Sequence, residues 1–284
     1  VGLTLDGSGS SDTDVGDVLT YDWTVNGNAL PSTTSNMATL TWSDLQALGI
    51  DDGTMAGTSF TVSLIVTDDK GAFNSASDPD STTLTLTNTA PTATLANDGP
   101  VDEGSSADVT LSAASDPSNG DLAAGFRYSY DLDNNGSFDD GAGDGTYAGA
   151  LSSASYTVPA TILRDGDSLV TVTARVLDDD GGYTDHTTVV TVRNVAPVVD
   201  AGASQTISEG STLTLDPATF TDAGVDDTHT ATIDWGDGSV VEAGAVTQGA
   251  GSGSVAGSNA YDIDVSYTVT LTVTDNDGDS ATDT

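Results

Sequence analysis

The sequence of 284 residues contains no cysteine, only five basic residues and two histidines. Without cysteine no disulfide can stabilise the fold, and zinc sites or histidine-based catalytic triads have almost no candidate residues. No apolar stretch approaches the ~20 residues that cross a bilayer, so we expect no membrane insertion. The net charge of −39 would repel phosphate backbones, so we expect no nucleic-acid partner.

Aspartate supplies nearly all of the acid, because glutamate occurs only at Glu103, Glu209 and Glu242. Either residue would make the chain soluble, but aspartate is the shorter side chain, which suits turns and chelates a cation from a loop. The bias therefore predicts loop carboxylates that bind calcium. The alternative is an acid-rich surface adapted to salt, and the two interpretations are compatible.

One phrase occurs three times, at Val66–Gly71, Val176–Gly181 and Val273–Gly278. Each copy ends a stretch in which every second residue is apolar, as expected of a strand with one buried face. The Asp, Asn and Gly residues that follow are typical of hairpin turns. A recurrence at about 100 residues predicts tandem domains, each of the size of a seven-stranded sandwich.

Two similar segments, at 87–91 and 193–197, end in Ala-Pro and divide the repeats. Proline cannot extend a β-ladder and stiffens a linker, so we predict domains at 1–88, 89–194 and 195–284 in a semi-rigid rod. By internal comparison the first domain lacks its first strand, and the third lacks most of its last strand. The opening residue, Val1, is interpreted as a processed or truncated end.

Two further local predictions concern the first and third domains. Ser43-Asp44-Leu45-Gln46 matches a capping box and predicts one helical turn with Ser43 at its N-cap. Trp23 and Trp235 occupy aromatic-rich strands and are predicted to be core residues.

The third repeat contains an aromatic-Gly-Asp-Gly turn at 234–239 and a late Tyr-Thr-Val-x-Leu-x-Val strand from Tyr267. These features resemble the polycystic-kidney-disease (PKD) domain. The first repeat is similar through residues 5–12 and 21–23, whereas the second departs, with Asp131-Leu132-Asp133 in place of the turn. The resemblance implies an immunoglobulin-like sandwich that serves as a spacer, adhesive or accessory module in secreted and surface proteins. The predicted fold class is all-β, with three tandem immunoglobulin-like (PKD-like) β-sandwiches in an elongated rod.

The second repeat carries the sharpest metal-binding motif. Oxygen-bearing side chains at alternate positions followed by glycine match the first part of an EF-hand-type loop, although no helices flank it and the twelfth-position glutamate is missing. An acidic Asn-Gly turn without metal is the alternative. The predicted ligands are Asp131, Asp133, Asn135, Asp139 and Asp140.

The other predicted metal sites are spatial. In an immunoglobulin-like sandwich, the loop after the second strand and the loop before the last strand lie at the same end. Like charges ~5 Å apart repel by roughly 3 kcal/mol at an effective dielectric of about 20, and calcium removes that repulsion. The predicted groups are Asp12 and Asp14 with Asp68, Asp116 with Asp178 and Asp180, and Asp222 with Asp275 and Asp277. We also expect Asn88 and Asn194, or the loop at 131–140, to complete an interdomain site.

These patterns predict a calcium-stabilised structural or adhesive rod segment of a larger extracellular prokaryotic surface protein or filament. The alternative is an accessory substrate-docking module of a secreted hydrolase. An exposed row of aromatic residues on one sheet face would favour this alternative. No catalytic constellation is found, so an enzyme is not expected. The incomplete terminal domains fit either truncation or head-to-tail strand donation between subunits of a homo-oligomer. The cell-surface or matrix ligand is not specified by the sequence.

Overall fold

The structure is a computed structural model that describes residues 2–51, 58–74, 79–216 and 218–284. Val1, which opens the first predicted strand, lies outside the described residues. Within them the chain forms 22 strands and two six-residue helices. The predicted all-β fold class of tandem sandwiches is therefore confirmed.

The first unit, up to residue 88, contains two sheets. Strands β1 and β4 pair with each other, and the second sheet has the order β3-β2-β5-β6. In the central pair of that sheet, Tyr21 lies opposite Val66 and Trp23 opposite Leu64. The elements are β1 (Gly2–Asp6), β2 (Thr20–Val25), β3 (Asn28–Ala29), β4 (Met37–Thr41), α1 (Trp42–Ala47), β5 (Ser59–Thr67) and β6 (Asp80–Thr85).

The second unit, from 89 to 194, also contains two sheets, with the orders β10-β12-β13-β8 and β11-β9-β7. The pairing of β8 with β13 is parallel, and the other pairings of this unit are antiparallel. The elements are β7 (Thr92–Asn97), β8 (Val101–Asp102), β9 (Ala107–Ser115), α2 (Asn119–Ala124), β10 (Arg127–Asp131), β11 (Ser155–Val158), β12 (Leu169–Leu177) and β13 (Tyr183–Arg193).

The third unit, from 195 onwards, folds one seven-stranded sheet over a two-stranded one. The large sheet has the order β14-β16-β19-β18-β17-β21-β22, and β15 pairs with β20. The elements are β14 (Val198–Asp200), β15 (Ser211–Thr214), β16 (Ala218–Thr221), β17 (Thr230–Asp234), β18 (Glu242–Gly249), β19 (Ser252–Ala256), β20 (Ser258–Tyr261), β21 (Thr270–Thr274) and β22 (Ser280–Asp283).

Each unit has its own hydrophobic core, built from the alternating apolar residues of its central strands. Trp23 and Trp235 are buried in the first and third cores, as predicted. Among the described residues no core cluster spans two units, so each sandwich closes on itself and polar side chains form contacts between units. The boundaries at 88/89 and 194/195 stay a prediction.

The helix of the first unit begins earlier than the sequence predicted. Its N-cap is Thr41, whose Oγ1 accepts from the Asp44 N–H while the Asp44 carboxylate accepts from the Thr41 N–H. The prediction of Ser43 as the N-cap was wrong, because Asp44 completes the capping box with Thr41 as well as Gln46 would have done with Ser43. Helix α2, with Ser118 at its N-cap, was not predicted.

The terminal units differ from the second unit at their outer strands. Among the described residues of the first unit no strand precedes β1, which pairs with β4 as β9 pairs with β11. Strand β22 has four residues, against eleven in the equivalent β13. No helix in the described part of the chain has the length and apolar character needed to span a bilayer.

Candidate metal centres at the domain junctions

The same aspartate turn follows the central strand of each unit. Asp68, Asp178 and Asp275 come directly after β5, β12 and β21. In each turn the aspartate Oδ1 accepts from the backbone N–H four residues later, at 2.8, 2.6 and 2.9 Å respectively. The aspartate N–H in turn donates to the carbonyl of that later residue. The three turns are therefore equivalent residue by residue. Their third positions are Lys70, Asp180 and Asp277.

A second acidic loop faces each of these turns. Asp12, Asp116 and Asp222 each accept on Oδ1 from the N–H two residues later, at 2.8, 2.8 and 2.9 Å. Such a hydrogen bond fixes the loop locally and directs the remaining carboxylate oxygen elsewhere. The first position of each predicted group is thus held in the same way in all three units.

The sequence analysis missed the aspartate five residues further on, which is buried in every unit. The Asp17 side chain is 5% exposed, and Asp121 and Asp227 are 0% and 3% exposed. The signal was present in the sequence as an Asp-x4-Asp spacing that begins at Asp12, Asp116 and Asp222, the same place in each repeat. These three aspartates were not predicted as site residues, because charged residues are rarely buried without a partner and acidic loop residues are normally expected to be solvated.

The first junction joins a linker asparagine to a buried group of carboxylates. Asn88 Nδ2 donates to Asp178 Oδ2 at 3.0 Å. Oxygens of Asp116, Asp121 and Asp178 lie within 4.8 Å of one another, and all three residues are buried. The structure therefore brings together Asp116, Asp178 and Asn88 of the predicted residues. Asp180 is not part of this group of three.

The first unit contributes direct hydrogen bonds to the same junction. Asp51 accepts from Ser118 Oγ at 2.5 Å and from the Asn119 N–H at 3.0 Å. From α1, Trp42 Nε1 and Gln46 Nε2 donate to the Pro117 carbonyl at 2.9 and 3.1 Å. These contacts tie the end of the first sandwich to the loop that carries Asp116.

The second junction repeats the asparagine contact with more acid around it. Asn194 Nδ2 donates to Asp275 Oδ2 at 3.0 Å, and the Val195 N–H donates to Glu103 Oε1 at 2.8 Å. Two groups of carboxylates share Asp227, with the oxygens of each group within 4.8 Å of one another. One group is Glu103, Asp222 and Asp227, and the other is Asp165, Asp227 and Asp277.

Both units supply carboxylates to the second junction. Glu103 and Asp165 come from the second unit, and the others come from the third. The loop at 131–140, which was expected in this place, is not part of either group. The loop follows β10, whose last residue, Asp131, lies opposite Thr173 in β12 and not at the end of that strand.

Several oxygens of the second junction are buried without a hydrogen-bond partner. They are Glu103 Oε2, both carboxylate oxygens of Asp227, Asp277 Oδ2 and the Asn194 side-chain carbonyl. An ionised carboxylate in this position costs several kcal/mol unless a cation or donor compensates it. Two basic side chains lie at this junction, but they hold other oxygens: His229 Nε2 contacts Asp222 Oδ2 at 2.9 Å, and Arg164 Nε donates to Asp226 at 2.6 Å. The unpartnered atoms are thus all oxygen and are left without a positive charge.

The pKa values of these acids respond to the same surroundings. Burial, followed by the charges of Glu103, Asp222 and Asp277, raises the pKa of Asp227 to about 7. Burial also raises the pKa of Glu103, against the opposing hydrogen bond from Val195, and burial followed by neighbouring aspartates raises the pKa of Asp277. Both causes disfavour the ionised form that a cation would require.

Glycines leave room beside the carboxylates at both junctions. A Cβ on Gly224 would lie 2.3 Å from Asp227 Oδ2 and 2.4 Å from Glu103 Oε2. A Cβ on Gly182 would lie 2.2 Å from Asp178 Oδ2. Any side chain at these positions would displace the carboxylates, so glycine is required by close approach.

The EF-hand-like loop of the second unit is closed by its own backbone. Asp131 accepts from the Asn135 and Gly136 N–H groups at 3.2 and 2.8 Å, and Asp140 accepts from the Leu132 N–H at 2.7 Å. Oxygens of Asp131, Asp133 and Asp140 lie within 4.8 Å of one another. Burial raises the pKa of Asp131 despite these hydrogen bonds.

Two predicted ligands of that loop stand apart from the group of three. Asn135 uses its Nδ2 to donate to Asp133 at 2.9 Å and its Oδ1 to accept from the Ser137 N–H at 2.7 Å. Asp139 does not belong to the group. The structure thus brings together three of the four predicted acids of this loop, with the predicted Asn135 hydrogen-bonded to one of them.

The first unit also has an acidic group, at the end away from the first junction. Oxygens of Asp12, Asp17 and Asp68 lie within 4.8 Å of one another. Asp14, which was predicted to join them, is not a member, and Asp17 takes the place expected for it. Unlike the two junctions, this group contacts an ammonium, because Lys70 Nζ lies 2.5 Å from Asp17 Oδ1.

Comparison with known proteins supports the resemblance in the third unit. Residues 194–284 match the family model described as PKD domain, so the predicted resemblance is confirmed. No curated protein sequence matches the chain.

Similar solved structures include extracellular repeats, each at low identity. A tetra-tandem repeat from the extending region of a large adhesion protein is 18% identical, with a TM-score of 0.39, and the match covers 95% of this chain and 67% of that one. Drosophila N-cadherin EC1-4 is 14% identical, with a TM-score of 0.31 and coverage of 96% and 66%. The human desmocollin-1 ectodomain is 16% identical, with a TM-score of 0.27 and coverage of 79% and 43%, so the chain spans under half of its length.

Proposed function

We propose, from the premise that residues 194–284 match the PKD family, that the chain is a calcium-stabilised structural and adhesive rod segment. In this proposal it belongs to a larger extracellular prokaryotic surface protein or filament. Its role is mechanical: cations bound at the junctions fix the angle between neighbouring sandwiches and so hold an adhesive part at a distance from its anchor.

The observation that carries the proposal is the set of buried acids at the second junction. Asp227 is 3% exposed and Glu103 is 2% exposed, and three of their four carboxylate oxygens have no hydrogen-bond partner. The two residues belong to different units and share one group with Asp222. Buried charges in proteins are paired or coordinate metals, and the described part of this junction offers no cation to these oxygens.

The donor set fits calcium better than other metals. Its ligands would be carboxylate and amide oxygens, which hard cations prefer, and no thiolate is present. The histidine beside the group, His229, already uses Nε2 to contact Asp222 Oδ2 at 2.9 Å. Calcium would supply the positive charge that compensates Glu103, Asp165, Asp222, Asp227 and Asp277. Because both units provide ligands, binding would favour the one arrangement of the units in which the ligands meet.

The first junction and the loop of the second unit are the further sites of the proposal. At the first junction, Asp116, Asp121 and Asp178 would hold the ion, with Asn88 orienting Asp178. In the loop, Asp131, Asp133 and Asp140 would hold it. The backbone hydrogen bonds to Asp131 keep that loop closed, so this site would stabilise the second unit and not a junction.

A docking module for a secreted hydrolase is the rival proposal, and the aromatic residues disfavour it. Trp23 and Trp235 are buried, and the Nε1 of Trp42, the third tryptophan, donates to Pro117 at the first junction. Stacking on a polysaccharide needs flat aromatic faces open to solvent. The buried Trp23 and Trp235 offer no such face, and the exposed Phe73 and Tyr183 belong to different units, which supports the rod.

The remaining expectations are part of the same proposal. The chain would act outside the cell or at its surface, without a catalytic step, and with domain boundaries at 88/89 and 194/195. Head-to-tail donation of a strand between subunits of a homo-oligomer is also part of the proposal.

Thermal unfolding of the whole chain with calcium or with chelator tests the calcium proposal. We expect calcium to raise the Tm of the wild type. Asp227→Asn removes a ligand, and also the buried charge, so it should reduce the calcium-induced shift while raising the Tm in chelator. Asp262→Asn, at an exposed position of the same unit, is the control and should leave both values unchanged. An equal calcium shift in wild type and Asp227→Asn would contradict the proposal.

A further inference from the structure

The acidic group of the first unit differs from the two junctions at one position. The turns after β5, β12 and β21 have the same hydrogen bonds, and their third residues are therefore equivalent. Those residues are Lys70, Asp180 and Asp277. At the second junction Asp277 belongs to a carboxylate group with Asp165 and Asp227. The first unit thus has its lysine, the single lysine of the chain, where the third has a candidate ligand.

The Lys70 ammonium contacts Asp17, which is equivalent in position to Asp227, the acid whose pKa is raised to about 7. Lys70 Nζ lies 2.5 Å from Asp17 Oδ1, and Asp17 occupies the position that Asp121 and Asp227 occupy in the other units. The Asp17 side chain is 5% exposed, and its other carboxylate oxygen is buried without a hydrogen-bond partner. The ammonium is therefore the positive charge that a buried carboxylate needs.

The rest of the group retains the geometry of the junctions. Asp12 makes the same turn as Asp116 and Asp222, and Asp68 makes the same turn as Asp178 and Asp275. Oxygens of Asp12, Asp17 and Asp68 lie within 4.8 Å of one another. The three carboxylates are thus arranged as at the first junction, and the Lys70 ammonium adds a positive charge beside them.

We propose that Lys70 replaces a bound metal ion in the first unit, so that this acidic group is neutralised from within and does not take up calcium. An ammonium carries one positive charge on a flexible stem, donates hydrogen bonds to carboxylates, and repels a divalent cation at contact distance. Lys70 would then decide which of three homologous acidic groups depend on metal. This inference rests on the proposed function, because calcium at the junctions is its reference.

The consequence is a graded dependence on calcium along the chain. The outer end of the first unit would keep its loops ordered at any calcium concentration. The two junctions would loosen when calcium is withdrawn, because Asp180 and Asp277 occupy the position of Lys70 there. Replacing one residue should therefore convert a metal-independent end into a metal-dependent one.

Counting the calcium ions bound by the whole chain after equilibrium dialysis tests the assignment. Lys70→Asp installs the residue found in the other two turns, and we expect it to bind one more calcium per chain than the wild type. Its Tm in chelator should fall below that of the wild type and recover with calcium. Lys70→Arg keeps the positive charge and is the matched control, with an unchanged ion count.

Two further variants locate the added ion. Asp17→Asn in the Lys70→Asp background should abolish the gain, whereas Asp17→Asn alone should leave the wild-type count unchanged. If Lys70→Asp does not fold, Lys70→Asn supplies the same test with a neutral oxygen donor. We expect this variant to gain less than one calcium ion per chain at the same calcium concentration.

Two results would overturn the proposal. One is a wild-type count that falls with Asp17→Asn, since an ion would then already be bound beside Lys70. The other is an unchanged count in both Lys70→Asp and Lys70→Asn. The proposed function fails on a separate observation, namely an ion count that does not change in Asp227→Asn or Asp121→Asn. The two failures are therefore distinguishable in one set of measurements.

Discussion

The two junctions share an asparagine–aspartate hydrogen bond of 3.0 Å, but different contacts surround it. At the first junction the end of α1 and Asp51 reach across to the segment 117–119 through four hydrogen bonds. At the second junction Arg164 forms an ion pair with Asp226, and Glu103 and Asp165 face the acids Asp222, Asp227 and Asp277. One linker motif thus supports two interfaces, and among the described residues the hydrogen bonds from a helix and a tryptophan belong to the first.

The difference shows how a repeat can keep its linker and change its dependence on ligands. The hydrogen bonds of the first junction form between the two units themselves, and each contributes about 1 kcal/mol net. The carboxylates of the second junction repel one another by roughly 3 kcal/mol per pair at ~5 Å and an effective dielectric of about 20. The second junction therefore needs a cation more than the first does.

The largest expected effect is unequal loosening on calcium withdrawal. Because the chain has no cysteine, labels can be attached to introduced cysteine pairs without background. Ser81 with Ser152 spans the first junction and Ser152 with Thr212 spans the second, all at exposed positions. We expect chelator to broaden the distance distribution of the second pair clearly more than that of the first. Equal broadening of both pairs would remove the distinction between the junctions.

A smaller but more local effect is expected from filling the space beside Asp227. Gly224→Ala places a methyl group 2.3 Å from Asp227 Oδ2, so the carboxylates must move apart. We expect loss of most of the calcium-induced stabilisation, which amounts to about 2.7 kcal/mol when calcium is 100-fold above its Kd.

The matched control for this change is Gly249→Ala in the same unit, where an added Cβ meets no atom within 4 Å. It should leave the calcium-induced rise in Tm intact. A full calcium-induced rise in Tm in Gly224→Ala would mean that the ion binds elsewhere. The second junction would then not be the more calcium-dependent of the two.

The pH dependence of the metal-free chain is a third test. The pKa of Asp227 is raised from 3.8 to about 7 in the folded state, so folding favours its protonated form. A raised pKa contributes stability below pH 3.8, and that stability is lost as the pH rises through about 7. In chelator the Tm should therefore fall between pH 4 and pH 7.

Asp227→Asn is the variant that assigns this pH effect, since asparagine does not titrate. It should flatten the fall in Tm over that pH range, whereas Asp262→Asn should not. With saturating calcium the wild type should lose the fall as well, because the ion favours the ionised carboxylate. A fall of the same size in Asp227→Asn would assign the effect to other acids.

The smallest expected effect concerns the first junction. Trp42→Phe removes the Nε1–H that donates to the Pro117 carbonyl and retains most of the aromatic surface. We expect about 1 kcal/mol lower free energy of unfolding, measured by denaturant titration in chelator. If the change is instead without effect, the helix contact does not hold the first junction, and the contrast between the junctions must rest on the acids alone.

Much of the fold and part of each site could be read from the sequence. The thrice-repeated phrase is a local pattern in which strand alternation runs directly into turn residues, and it correctly predicted three equivalent turns. The aromatic-rich strands predicted the buried Trp23 and Trp235, and the geometry of an immunoglobulin-like sandwich indicated Asp12, Asp116 and Asp222 as the facing acids. Asp17, Asp121 and Asp227 were missed, although their spacing repeats, because burial of a charge cannot be recognised without knowing what packs above it.

The meeting of residues across the second junction could not have been predicted in the same way. Glu103 is 124 residues from Asp227, and its position depends on how β8 pairs in parallel with the end of β13. The loop at 131–140 had the stronger local motif, yet its strand ends part-way along the sheet. Local chemistry identified a loop that can hold a cation, but not which end of the sandwich the loop serves.

The sequence by itself determined the all-β class, the three repeats, the two asparagine linkers and the acidic turns, because alternation, turn residues and charge act over a few neighbouring positions. Only the tertiary structure decided that Asp17 faces a lysine while Asp227 faces Glu103 from another unit. Electrostatic compensation depends on distances of a few ångströms between residues far apart in the chain. Those distances are fixed by strand register and by the packing of whole sandwiches, which no local pattern records.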